Sequence, residues 1–267
     1  MPLFQLILVA VIQGITEFLP ISSSGHLILL PELTGLDDQG QLIDVAVHIG
    51  TLGAVVLYFR SDVRMSLIGL GRLVRGKVDT PGAELALRLI VCMLPLVLMG
   101  AALYFSGLSQ AMRSITVIGW TMLIFGIVLY WADRTGPSTK VAEDWTLKDA
   151  VIMGFWQALS LIPGTSRSGI TITGARRLGY GREDAARISM LMSIPAIIAS
   201  GLLVGTKAAI TADSAALRDG ALAAVFAFAS AMIALSLMMR LLRSVNFTPY
   251  VIYRIALGLV LLAWTYS

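Results

Sequence analysis

The chain is poor in charge: Asp, Glu, Lys and Arg together make up 13% of its 267 residues. A soluble domain carries about 25%, so a soluble globule made from this sequence would expose most of its apolar side chains for want of polar ones to cover them. A cytosolic enzyme and a disordered protein are thereby excluded. There is one cysteine, Cys92, inside an apolar run. It forms no intrachain disulfide, which excludes a disulfide-stapled secreted scaffold and says nothing of redox compartment. No GxxxxGK[ST] loop, HExxH helix or Cys/His metal framework occurs. Met1 to Ile12 lacks a basic leading region and no small-residue cleavage site follows, so no cleavable signal peptide is expected.

What is present is apolar surface. Hydrophobic residues make up 57% and the mean hydropathy is +0.83, which leaves the polytopic membrane class. The net charge of +4 comes from basic residues scattered between apolar runs. They form no patch interleaved with aromatics, as a nucleic-acid surface would, and read better as topology signals.

Six runs are long enough to cross a bilayer, which takes roughly 17–25 mostly apolar residues: 41–59, 87–105, 115–131, 185–205, 219–239 and 249–265. Two further stretches do not fit. Residues 3–34 are broken by Gly14, Pro20, Gly25 and Pro31, and 149–178 by Gly154, Pro163, Gly164 and Gly169. Broken backbone survives in a membrane only where protein or a water-filled cavity satisfies its polar groups, so each reads as a re-entrant helical hairpin. The expected fold is an all-α polytopic membrane protein, six transmembrane helices plus two re-entrant hairpins in one integral membrane domain.

Basic residues orient this layout. Arg60, Arg64, Arg72, Arg75, Lys77 and Arg88 lie in the loop 60–88; Arg134, Lys140 and Lys148 in 132–148; Arg176, Arg177, Arg182 and Arg187 in 174–187; Arg240 and Arg243 beyond the fifth span. With six spans and two hairpins these fifteen share one side, against Arg113, Lys207 and Arg218 on the other. The basic side is expected to be cytoplasmic and both termini to face outward. The hairpins then enter from opposite faces. At an offset of 144, Gln13 matches Gln157, Ser22 matches Ser166, Ser24 matches Ser168 and Gly25 matches Gly169. Halves of approximately 1–131 and 147–267, each a hairpin followed by three spans, read as an inverted-topology repeat with a shared site near the midplane.

The residues suited to chemistry lie at the two breaks. The first reads QGITEFLPISSSGH from Gln13 to His26. Gln13 and Glu17 share a helical face, and a carboxylate in a membrane-embedded segment is a functional candidate by default. Ser22, Ser23, Ser24 and Gly25 make a turn whose N–H and O–H groups suit an anion, and His26 follows as a group that titrates near neutrality. The second reads PGTSRSG from Pro163 to Gly169; Arg167 is a planar fork able to hold phosphate bidentately, among Thr165, Ser166 and Ser168. Each residue also has a bland reading. Glu17 can simply bond a neighbouring helix, the serines can cap helices, His26 can be structural and Arg167 can reach to headgroups. Their concentration in two short segments favours a site. His48 reads as a packing residue, Arg254 as a structural partner of a carbonyl or acid, and Asp44 as either pocket mouth or outer interface. Glu32, Asp37 and Asp38 read as solvated loop residues, Phe155 and Trp156 as core.

These two runs, with the order of helices between them, resemble the bacterial undecaprenyl pyrophosphate phosphatases of the bacitracin-resistance type, over essentially the whole chain. Gln13 to Glu17 is the Gln form of that family's Glu-or-Gln, three residues, Glu pattern, and Pro163 to Gly169 matches its PGxSRSG motif with Thr165 in the variable place. The resemblance implies removal of the terminal phosphate of undecaprenyl pyrophosphate, recycling the lipid carrier of cell-wall precursors. It implies a divalent cation, Mg2+ or Ca2+, ligated partly by Glu17, and catalytic roles for Glu17, Ser23, His26 and Arg167. Gln13, Ser22, Ser24, Thr165, Ser166 and Ser168 would bind substrate. With Gln rather than Glu at position 13, this chain has one carboxylate fewer there than family members that carry Glu. In the expected mechanism Ser23 attacks the outer phosphorus with His26 as base; direct attack by water is the rival. The enzyme would sit in the bacterial inner membrane with its site facing the periplasm. The sequence leaves monomer and homodimer open.

Two other classes compete. An inverted-repeat transporter or flippase for an anionic lipid or small anion would use the same Arg and serines, but needs no nucleophile or base. The phosphatidic-acid type of membrane phosphatase also contains an SGH run but requires a second His after a later Arg, and no His follows Arg167.

Overall fold

In the computed structural model, residues 1–35, 37–108, 112, 114–205, 210 and 213–267 are described. Arg113 and Lys207, which enter the charge argument, lie outside these. Twelve α-helices account for most of the described chain. The first hairpin is α1 (Leu3–Phe18) and α2 (Ser23–Thr34). It is followed by α3 (Gly40–Tyr58), α4 (Arg60–Leu73), α5 (Pro81–Val91), α6 (Met93–Ser106) and α7 (Ile115–Thr135). The second hairpin is α8 (Leu147–Ala158) and α9 (Arg167–Arg177), and α10 (Arg182–Ser200), α11 (Ser214–Leu241) and α12 (Thr248–Tyr266) complete the chain. Helices α5 and α6 run as one span interrupted at Cys92. The cause is local: Pro95 has no N–H to give the carbonyl four residues back.

Six helical stretches are long and apolar enough to cross a membrane: 40–58, 81–106, 115–135, 182–203, 214–241 and 248–266. They coincide with the six expected runs, and large apolar side chains such as Leu98, Phe105, Val225 and Val260 stand exposed on them, as lipid-facing residues would. Helix α1, at 16 residues, and α8, at 12, are only about 24 and 18 Å long at 1.5 Å per residue, short of a hydrocarbon core of about 30 Å. Residues 60–88 are not an open loop: α4 and the start of α5 occupy most of it. Arginines at 60, 64 and 72 dilute its apolar periodicity, which hides the helix from a search for apolar runs.

The hairpins are held by different neighbours. Helix α1 packs on α11 and α3; α8 packs on α5 and α6; α9 packs on α7 and α10; and α7 lies along α12. Small residues make the closest approaches. A Cβ on Gly50 of α3 would lie 2.2 Å from the Ala224 carbonyl oxygen of α11, and one on Gly14 of α1 would lie 2.6 Å from that of Ala227. In lipid, where apolar burial gives no preference for protein over solvent, such backbone proximity supplies the dispersion contacts that hold helices together.

Candidate active site

Each hairpin turns at a proline. Helix α1 stops at Phe18 because Pro20 biases the residue before it to extended backbone, and Leu19 has φ −68° and ψ 142°. Pro163 does the same to Ile162, at φ −82° and ψ 120°. Both turns then place a serine in a positive-φ conformation. Ser22 (φ 74°) and Ser166 (φ 70°) are the only non-glycine residues so placed among the described residues. Such a conformation costs of order 1–3 kcal/mol. Each serine recovers part of this as an N-cap: Gly25 N–H donates to Ser22 Oγ at 3.3 Å, and Gly169 N–H donates to Ser166 Oγ at 3.1 Å. Ser24 Oγ lies 3.4 Å from Ser22 Oγ, and Ser168 Oγ lies 3.2 Å from Ser166 Oγ.

The two turns touch. Ser168 Oγ donates to the Leu19 carbonyl at 2.9 Å. Arg254, fully buried on α12, joins them from behind. Its guanidinium donates to the carbonyls of Pro20 in the first turn and of Gly164 and Thr165 in the second, and also to those of Thr121 and Met122 on α7. The structural role expected for Arg254 is thus filled by carbonyls alone. Turn carbonyls buried in a membrane protein need donors, and one guanidinium supplies them to both hairpins.

On the other side of the turns Glu17 collects four groups. Gln13 Nε2 and Ser23 Oγ each donate to Oε2 at 2.7 Å, and Arg167 Nη2 donates to Oε1 at 2.5 Å. Arg167 Nη1 also donates to the Ser193 carbonyl at 3.1 Å, which fixes the plane of the guanidinium. His48 Nε2 stands 3.7 Å from Glu17 Oε2. Its Nδ1 lies 2.6 Å from the Asp44 carbonyl; a carbonyl only accepts, so Nδ1 carries the proton and Nε2 turns to the carboxylate. His48, read from sequence as a packing residue, therefore stands beside Glu17. The available signal was that it is one of only two histidines in the chain and lies in the middle of a span.

Not every expected residue joins this cluster. His26 points away from Ser23: its Nδ1 lies 2.7 Å from the Ser22 carbonyl and its Nε2 2.5 Å from the Tyr253 hydroxyl, the two rings parallel within 9°. Ser22, Thr165, Ser166 and Ser168 are buried, with the first and third spent as caps, whereas Ser23 is half-buried and Ser24 exposed. Thr165 Oγ1 is buried without a hydrogen-bond partner. Phe155 is not a core residue: it stands 63% exposed on α8, while Trp156 packs beneath Gly174 of α9. An apolar cleft of about 590 Å³, lined by Val11, Ile15, Leu19, Phe226, Ile233 and Leu237, runs along α1 and α11 to the first turn.

Glu17, Gln13 and His48 are the groups of this cluster that could face a cation. Among the described residues no three His, Cys, Asp or Glu side chains cluster closely enough to hold a metal unaided. Glu17 is the carboxylate of the cluster, but Gln13 Oε1 is a buried acceptor with no hydrogen-bond partner and His48 presents a nitrogen. Such a set fits a cation that takes its remaining ligands from phosphate oxygens, as Mg2+ commonly does.

Fold and site together define a multi-pass helical membrane protein with one polar centre at the junction of two broken hairpins. The chain belongs to the bacitracin resistance protein BacA family, whose model matches residues 6–260. Over 267 residues and 100% of both chains it is 73% identical to the undecaprenyl-diphosphatase of Ruegeria pomeroyi and 69% identical to that of Dinoroseobacter shibae. It is 45% identical to that of Hahella chejuensis over 262 residues, 98% of each chain.

Proposed function

We propose that this chain hydrolyses undecaprenyl diphosphate to undecaprenyl phosphate and inorganic phosphate, recycling the lipid carrier of cell-wall polymers, with bacitracin resistance as a consequence. The observation that carries the reading is the meeting of Glu17, Ser23 and Arg167: a hydroxyl, a proton acceptor and a phosphate-binding fork in one place, in a chain similar over its whole length to proteins named for this reaction.

Arg167 holds the pyrophosphate and opposes the charge that develops on the equatorial oxygens of the outer phosphorus. Ser23 attacks that phosphorus as its proton passes to Glu17, the acceptor 2.7 Å away. The bridging P–O bond breaks and undecaprenyl phosphate leaves. Water then hydrolyses the phosphoserine, returning Ser23 and releasing phosphate. His26, oriented by Tyr253, serves the proton transfers of leaving group and water rather than the deprotonation of Ser23. Ser24 and the N–H groups of the two turns complete the cradle; Ser22, Ser166, Ser168 and Thr165 act by shaping the turns. A divalent cation, Mg2+ or Ca2+, would be held by Glu17 and Gln13 Oε1 and would supply neutralisation of the pyrophosphate charge. The prenyl tail lies in the cleft beside Val11 and Ile15. We place the protein in the bacterial inner membrane, with the halves 1–131 and 147–267 in inverted topology and the site opening to the periplasm, on the strength of the Lys/Arg distribution.

The test is phosphate release from undecaprenyl diphosphate by the purified protein, with and without EDTA, beside Ser23→Ala and Arg167→Ala. Cation-dependent release that falls by about 10²-fold or more in both variants is expected. No release by folded wild type, across several cations and prenyl lengths, would overturn the reading.

A further inference from the structure

Helix α4 is unlike the other helices of the chain. It follows α3 after a single residue, Phe59, is 14 residues long and carries too many charges to cross a membrane. Its inward face is narrow. Gly69 meets Gly82 of α5 so closely that a Cβ on Gly69 would lie 2.0 Å from the Gly82 carbonyl carbon. Asp62 is buried against α10, where Arg187 binds it through Nη2 at 2.7 Å and Nε at 3.2 Å. At about 100° per residue, Arg60 and Arg64 of α4 fall in one outward stripe. Leu67 and Leu70 fall in the stripe beside it, both exposed, as is Val74 just past the end of the helix at 81%.

The charges of this segment do not balance. Asp62 is taken by Arg187 of α10, Asp79 by Arg72 at 2.7 and 2.5 Å, and Glu84 by Arg88 at 2.6 Å. That accounts for every acid between residues 60 and 88. Arg60, Arg64, Arg75 and Lys77 have no acidic partner among the described residues. Arg60 and Arg64 are also four residues apart on one helical face, where like charges repel. Both line a groove of about 870 Å³ between α4 and α5, together with Ser61, Arg72, Met65 and Ile68. The groove therefore sets basic side chains beside the apolar Met65 and Ile68.

We propose that this groove binds the headgroup of an anionic phospholipid, with Arg60 and Arg64 on its phosphate and an acyl chain along Met65 and Ile68. Free phosphate would satisfy the arginines equally well; the adjoining apolar stripe on a helix lying at the ends of the spans selects a lipid. The site is separate from the Glu17 centre and does not depend on the reaction assigned to it.

The test titrates the purified full-length protein in detergent with phosphatidylglycerol, phosphatidylcholine and inorganic phosphate, and counts bound lipid by native mass spectrometry. Wild type is expected to hold phosphatidylglycerol at least tenfold more tightly than phosphatidylcholine, and millimolar phosphate is expected not to displace it. The R60Q/R64Q variant should lose roughly tenfold or more in phosphatidylglycerol affinity, with an unchanged elution profile, since both side chains are exposed and unpaired. R243Q, which removes an exposed arginine elsewhere, should bind as wild type does. Equal affinity of R60Q/R64Q and wild type, equal binding of the two lipids, or an equal loss in R243Q would overturn the site. Displacement of lipid by phosphate would overturn its assignment to a lipid.

Discussion

Ser22 and Ser166 lie 144 positions apart and hold nearly the same backbone, φ 74° and ψ 90° against φ 70° and ψ 112°, each capping the helix that follows through the N–H three residues on. The two turns of the site are thus two copies of one strained device. The strain is tolerated because cap and conformation support each other, and removing them separately has different consequences.

Ser166→Ala keeps the unfavourable φ and loses the cap, so it should destabilise the protein by about 1 kcal/mol. Ser166→Gly loses the same cap but relieves the backbone and should cost only a few tenths of that amount. Thermal unfolding in detergent distinguishes them. Equal destabilisation by the two variants would mean that the conformation carries no strain.

Arg254 should be more sensitive than any residue in contact with substrate. Replacing it by Met leaves the carbonyls of Pro20, Gly164 and Thr165 buried without their donor, at about 1–3 kcal/mol for each group left unsatisfied. The expected outcome is loss of monodisperse protein on size exclusion. Arg254→Lys, with one compact ammonium in place of a fork, should recover only part of it. A well-folded Arg254→Met with normal phosphate release would show that the turns do not need this residue.

Close helix packing gives a prediction with an internal control. Ala favours a helix over Gly by about 1 kcal/mol. At Gly71 of α4 a Cβ meets nothing within 4 Å, so Gly71→Ala should be neutral or stabilising. At Gly50 the Cβ would run into the Ala224 carbonyl 2.2 Å away, so Gly50→Ala should lower the melting temperature by separating α3 from α11. A rise in both variants would contradict the tight contact.

The spans and both breaks were legible in the sequence, because apolar length and proline act locally and leave a direct trace. The repeated letters Ser22 and Ser166 went further and marked a repeated backbone. What was not legible depends on distance. Arg254 bonds carbonyls, which every residue has, so no letter elsewhere in the chain announces its role. His48 reaches Glu17 across a hairpin and a loop, with no periodicity to join them. His26 sits three residues from Ser23 yet points to Tyr253, 227 positions away; proximity in sequence suggested a base for Ser23 that the helix geometry directs elsewhere. Helix α4 was hidden by its arginines.

The most direct test of the central claim, that the two hairpins form one reaction centre, is a double-mutant cycle on Glu17 and Arg167, which meet at 2.5 Å from opposite halves of the chain. Phosphate release from undecaprenyl diphosphate would be measured for Glu17→Gln, Arg167→Gln and the double variant. Each single change should lower kcat/KM by about 10²–10³-fold, and the double variant should be no worse than the weaker single variant, because residues acting as a unit are not additive. If the two losses multiply, Glu17 and Arg167 act independently and the single-centre account is wrong.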